Sequence, residues 1–320
     1  MGMLWATNSV GGFLANAKLD KILQFSAQPL SRFRQFTEVK SAFGKSAGET
    51  FRWERVANVS TPGGRLVETN TMHQTEQVIT KGTMAIYEYG NSIPFTKKLE
   101  LLSMFDVEEM IKKGLLNDYR NCMDGLVERE MNKTYLNYVG TTSTGYTLTT
   151  DSSLAAVNTS SLNKYHVKNI IDELVKRNIP PWDGEDYICI GSIEAIRNIL
   201  DDLEAYKVYT NDGYKNVLNG EVGRYYGCRF IGDNYATRYT YGETTRTSTA
   251  KSWSGGYSKD AYFFGQGAVA EAVAEPEHVI PKEVTDYQRS KGLAWYFVGG
   301  FKIIWEDQAN SRIVKWASAS

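Results

Sequence analysis

Between Met104 and Tyr138 the apolar residues recur at helical spacing. Val107, Ile111, Leu115, Tyr119, Cys122 and Leu126 form one stripe, with Met123, Val127, Met131 and Tyr135 beside it. The spacing predicts one helix over about 104–138, and a helix of roughly 30 residues runs on the order of 45–50 Å. That is longer than a compact domain cut from 320 residues needs. A helix of that length with so broad an apolar stripe is a spine on which a sheet, or another chain, must lie.

The segment before it is extended. Phe51, Trp53, Ala57 and Val59 alternate with polar residues, Thr61-Pro62-Gly63-Gly64 is a turn, and Arg65–Thr69 is read as the returning strand. A two-stranded ribbon is marginal alone, so it must rest on its own body or on a neighbour. Gln77–Tyr89 is further strand. Residues 1–48 carry six basic side chains against two acidic ones, around a short helical piece near Leu14–Phe25, and are read as a solvated or interface-lying arm.

After the spine, Gly140–Gly145 reads as a linker within a Thr/Ser/Gly/Asn-rich stretch over 139–162. A helix follows with Val167, Ile170, Ile171, Leu174 and Val175 on one face, stopped before Pro180-Pro181. Asp186–Ile190 is a short buried strand, and Ser192 is the natural N-cap of a helix reaching about Leu203. Gly220, Gly223 and Gly227 lead into an alternating run, Cys228–Ile231, that stops at Gly232-Asp233-Asn234. Residues 237–260 are polar and read as a long loop or hairpin. Ala261–Ala274 is strand-like, and two strands, Tyr296–Trp305 and Ser311–Ala317, close the chain.

The run Gly220-Glu-Val-Gly223-Arg224-Tyr-Tyr-Gly227-Cys-Arg229-Phe-Ile231 resembles a signature in the central domain of tailed-bacteriophage major capsid proteins of the Hong Kong 97 fold, in the branch typified by coliphage N-four. Phe263-Phe264-Gly265-Gln-Gly-Ala268 and Asp286-x-x-Arg289-x-x-Gly292-x-x-Trp295 resemble two further patterns of that family, so the likeness spans about 45–317. Gly191-Ser192 departs from a His-Pro-like pair that many relatives carry. The resemblance implies an α+β fold with an N-terminal arm (1–48), an extended-loop hairpin (49–76), a peripheral domain holding the spine helix (77–162), a central axial domain (163–290) and C-terminal strands (291–320). It also implies a major capsid protein whose copies form the hexamers and pentamers of an icosahedral head around phage DNA. The residues expected at assembly interfaces are Trp53, Arg65, Glu68, Gly220, Gly223, Arg224, Gly227 and Arg229.

Composition fits this reading. The net charge of −1 argues against a dedicated nucleic-acid-binding domain, so contact with packaged DNA is expected to be non-specific and on the inner face. Three scattered cysteines offer no disulfide framework or metal knuckle, in keeping with assembly in a reducing bacterial cytoplasm. The N-terminal residues match neither a secretory signal nor a myristoylation motif, and no run is apolar enough to span a bilayer, so no membrane is expected. His73, His166 and His278 are scattered, and the sequence holds no HExxH, Walker A or GxSxG. Asp183-Gly-Glu-Asp186 reads as a solvated turn and not a cation loop. No catalytic residue, cofactor or metal is therefore expected, and the chain is read as a non-enzyme located in the virion. With no charged helical extension ahead of the fold, scaffold is expected as a separate protein, beside a portal and a possible decoration protein. The family's lysine–asparagine crosslink is not expected, because no lysine lies between Lys45 and Lys81. The alternative of another class is a cytoplasmic α+β binding protein or enzyme with a cryptic site, its hairpin packed internally.

Overall fold

The computed structural model describes residues 31–41, 50–57, 59, 63–68, 71–103, 105–153, 160–193, 195–199, 221–233, 260–283 and 286–317. The N-terminal helical piece, the end of the helix toward Leu203, Gly220 and the polar segment 237–259 lie outside them.

Thirteen strands are described, forming three sheets, with three α-helices described over their whole length and the start of another after Ser192. In chain order the strands are β1 (Thr37–Ser41), β2 (Thr50–Val56), β3 (Ile79–Ala85), β4 (Tyr87–Thr96), β5 (Leu136–Gly140), β6 (Tyr146–Thr149), β7 (Tyr187–Ser192), β8 (Glu221–Tyr225), β9 (Cys228–Asp233), β10 (Ala261–Phe264), β11 (Val269–Pro281), β12 (Ser290–Ile303) and β13 (Ile313–Trp316). The helices are α1 (Lys97–Leu102), α2 (Val107–Met131) and α3 (Lys164–Lys176). A four-stranded sheet runs β1-β11-β12-β4, a seven-stranded sheet runs β6-β5-β13-β10-β7-β9-β8, and β2 pairs β3 alone.

Helix α2 is the spine, and its buried face carries Val107, Ile111, Leu115, Met123, Leu126, Val127 and Met131 as the two stripes require. Asp106 caps its first turn, accepting from the Glu108 and Glu109 amides, and Glu108–Lys112 and Glu109–Lys113 pair one turn apart on the solvent side. At 25 residues it is shorter than the sequence pattern implied, roughly 38 Å. The missing turns have become β5. Leu136–Gly140 is buried at every position, because pairing with β13 on one side and β6 on the other outweighs the helical spacing of Tyr135 and Tyr138.

The central strands of the seven-stranded sheet are buried on both faces. Ile188, Ile190, Tyr262, Phe264 and Ile313 face the core shared with α2, while Cys189, Phe263, Val314 and Trp316 face the core under α3. Three further expectations need correction. The expected linker Gly140–Gly145 is the turn of the β5–β6 hairpin, closed by the Thr141 amide on the Gly145 carbonyl at 2.9 Å. Residues 31–41, read as part of an arm, are built into the body: Phe33 and Phe36 sit in the core, β1 runs parallel to β11, and buried Asp124 of α2 accepts from the Arg32 and Arg34 amides and the Ser31 hydroxyl. Lastly, the partner of β2 is β3 and not Arg65–Thr69, so the excursion between the paired strands is much longer than a tight turn at Thr61–Gly64.

Candidate functional site

The β2–β3 ribbon divides into an anchored base and an unpartnered outer part. At the base the Trp53 indole lies over Gly82, where a Cβ would come within 2.3 Å of it, and packs with Met84, Ala270, Ala272 and Ile304. Arg55 donates to the Ile304 carbonyl at 3.0 Å and stacks on Trp305. Trp53, expected at an interface between copies, is therefore buried inside its own chain, because only glycine at position 82 leaves room for the indole. Beyond the base, Val56, Val59, Leu66, Val67, Met72, Val78 and Ile79 are each about half exposed or more. Arg65 and Glu68 belong to this exposed excursion. Seven large apolar side chains exposed along one stretch of chain are more than scattered surface residues.

Gly223, Arg224, Gly227 and Arg229 come together at the far edge of the seven-stranded sheet. Tyr226 and Gly227, at φ of 50° and 69°, form a two-residue turn joining β8 to β9, the left-handed geometry that a tight hairpin requires. Gly223 sits at an irregularity in the ladder. The turn brings two guanidiniums onto one carboxylate: Arg224 Nε and Arg229 Nε each donate to Asp186, both at 2.8 Å, and Asp186 is 1% exposed. Arg224 also reaches Glu185, and Arg229 reaches Asp183 at 2.9 Å. Asp183-Gly-Glu-Asp186 is thus neither a cation loop nor a wholly solvated turn. Its last carboxylate is a buried clasp, which the sequence hides because its arginines lie about 40 residues away.

Apolar exposure recurs at the far end of the four-stranded sheet, where α1 follows β4. Leu101, Leu102, Val279, Ile280 and Tyr287 are exposed there, Tyr287 in a turn of three consecutive left-handed residues, Asp286–Gln288. Sequence reasoning missed this patch. The adjacent leucines of α1 were its one visible sign.

No group of His, Cys, Asp and Glu among the described residues could hold a metal, and no described helix is long and apolar enough to cross a membrane. A groove of about 380 Å³ between α2, β4 and β12 is lined by Tyr87, Glu88, Tyr89, Leu126, Arg129, Glu130, Lys133 and Phe301, with Lys133 paired to Glu130. Burial and the nearby Asp118 push the Cys122 thiol up to about 12, and burial raises Cys189 as well, so neither is a reactive thiolate at neutral pH.

His166, in the first turn of α3, is not at the surface. It is fully buried between Tyr138, Tyr165 and Trp316. Nε2 donates to the Thr142 carbonyl at 3.0 Å, which leaves Nδ1 to accept from the Tyr138 hydroxyl at 3.0 Å. Burial lowers its pKa below the ordinary 6.5, against a smaller opposing contribution from the Thr142 contact. The unfolded chain therefore takes up this proton first as pH falls. The stabilisation is complete above about pH 6.5 and is lost on acidification toward the folded value. Melting temperature should accordingly fall more between about pH 7 and about pH 5 for the native chain than for His166→Gln, and equal slopes would refute the assignment.

Neither a family model nor a curated protein sequence matches the chain. Solved structures do. The capsid of Ralstonia phage GP4 superposes with a TM-score of 0.69 at 14% identity, covering 100% of this chain and 98% of that one. The Cyanophage Pam1 capsid gives 0.67 at 14%, covering 95% and 96%, and the head of Helicobacter pylori bacteriophage KHP40 gives 0.64 at 14%, covering 98% and 97%. This is the Hong Kong 97 capsid fold.

Proposed function

We propose that this chain is a major capsid protein, a structural subunit and not an enzyme, whose copies associate into the hexamers and pentamers of an icosahedral head enclosing phage DNA. The observation that carries the reading is the ribbon: Trp53 fixes its base to its own body, and its apolar outer part finds no cover there. In this reading α2 and the four-stranded sheet form the peripheral domain, and the seven-stranded sheet with α3 forms the central axial domain. Arg65 and Glu68 lie on the surface offered to a neighbour, while Gly223, Arg224, Gly227 and Arg229 shape an edge of the axial domain. Many modest contacts engaged at once make the lattice far stronger than any one pair. A separate scaffold, a portal, a decoration protein and non-specific contact with DNA complete the partners, with assembly in the host cytoplasm and a final place in the virion.

Sedimentation velocity with negative-stain microscopy tests this. Shells or tubes of megadalton size are the expected result, alone or with the cognate scaffold. Monomers or small closed oligomers under every condition would overturn the proposal. Mature particles should also run as a single monomer band on a denaturing gel, since the sequence between Lys45 and Lys81 offers no lysine for a crosslink between subunits; a ladder would contradict this.

A further inference from the structure

An apolar seam between the C-terminal end of α2 and the seven-stranded sheet holds a cluster of polar side chains. The β10–β13 register sets Tyr262 opposite Lys315, and the two-residue period of a strand places Asp260 on the same face. Lys315 Nζ lies 2.6 Å from Asp260 Oδ2 and 2.6 Å from Asn132 Oδ1, and the lysine and aspartate side chains are only 6% and 1% exposed. Glu128, one turn before Asn132, is buried too and accepts from the Tyr262 hydroxyl at 3.3 Å. Burial, and then the nearby charges of Glu128 and Asp260, raise the Tyr262 phenol well above its ordinary value.

The pair is sealed from water. Passing one proton across the 2.6 Å contact leaves a neutral amine facing a neutral carboxylic acid. A neutral lysine amine is a nucleophile, and here the acyl carbon is already held in reach of it. We propose that Lys315 and Asp260 condense into an amide bond between their side chains, within one chain. Nζ bonds to Cγ of Asp260, the bond from Cγ to the hydroxyl oxygen breaks, and one amine proton leaves with that hydroxyl as water. Glu128 carries the proton from the amine to the departing oxygen, and the Asn132 carbonyl oxygen holds the amine in line. No oxidant or reductant takes part. The bond would tie β13 to β10 and remove loop-closure entropy from the unfolded chain. It joins no second subunit, so it adds nothing to a denaturing gel, and it does not depend on the assembly reading.

Intact-mass spectrometry of the denatured full-length protein, with peptide mapping, decides the matter. The expected result is a chain one water lighter than its sequence, and one linked peptide containing both Asp260 and Lys315. Asp260→Asn, which keeps the shape, should lose ammonia in place of water. Lys315→Arg and Glu128→Gln should both keep the full sequence mass. A native chain at full mass with two separate linear peptides overturns the proposal, as does water loss located elsewhere. Complete condensation in Glu128→Gln overturns the role given to Glu128.

Discussion

Replacing Leu66, Val67 and Met72 together by aspartate is expected to leave a folded monomer and to abolish shells. All three are more than half exposed, so their loss removes little packing within the body. Surface changes of this kind shift stability by no more than about 0.5 kcal/mol each. At a subunit interface each side chain contributes about 1.5–3 kcal/mol by burial, and a charge left in its place adds a desolvation cost. That loss recurs at every copy of the contact, so a lattice held by simultaneous engagement fails as a whole. Trp53→Ala is the contrasting variant. It removes an indole packed on Gly82 and Met84 and should cost the monomer about 3–5 kcal/mol while leaving the outer ribbon chemically intact. Thermal melting and sedimentation velocity together separate the two. Unimpaired shells from the triple aspartate variant would show that the outer ribbon does not carry the contact.

What the sequence revealed depended on how local the deciding interaction was. The buried stripe of α2 was legible because side chains three and four apart decide it, and Ser192, whose hydroxyl accepts from the Ala195 amide at 3.1 Å, was legible for the same reason. The end of α2 was not, since Leu136–Gly140 takes its conformation from β13, far along the chain. The ribbon was half legible: Phe51 and Trp53 alternate as a strand should, but register lies in the partner, and nothing near Arg65 says that the partner waits until Ile79. Three of the residues expected at interfaces make contacts within their own chain. Trp53 is matched by a glycine, and Arg224 and Arg229 by one aspartate, each at a distance along the chain where the pattern of one sequence leaves no trace.

That aspartate gives the second large effect. Asp186→Ala is expected to destabilise the chain by about 3 kcal/mol, the lower end of what removing one partner of a buried ion pair costs. The lower end applies because Arg224 and Arg229 are 48% and 30% exposed, so both guanidiniums regain water once the carboxylate is gone. Each arginine removed singly should cost much less, about 1 kcal/mol, since the other still neutralises Asp186. Removing both is different in kind: Asp186, 1% exposed, is then left charged with neither guanidinium, and the cost should clearly exceed the sum of the two singles. The damage belongs at the β8–β9 edge, where the left-handed Tyr226-Gly227 turn holds the arginines over β7. Urea unfolding midpoints of the four variants measure the coupling. Strict additivity, or an Asp186→Ala chain as stable as the native one, would mean that the clasp forms without stabilising the edge.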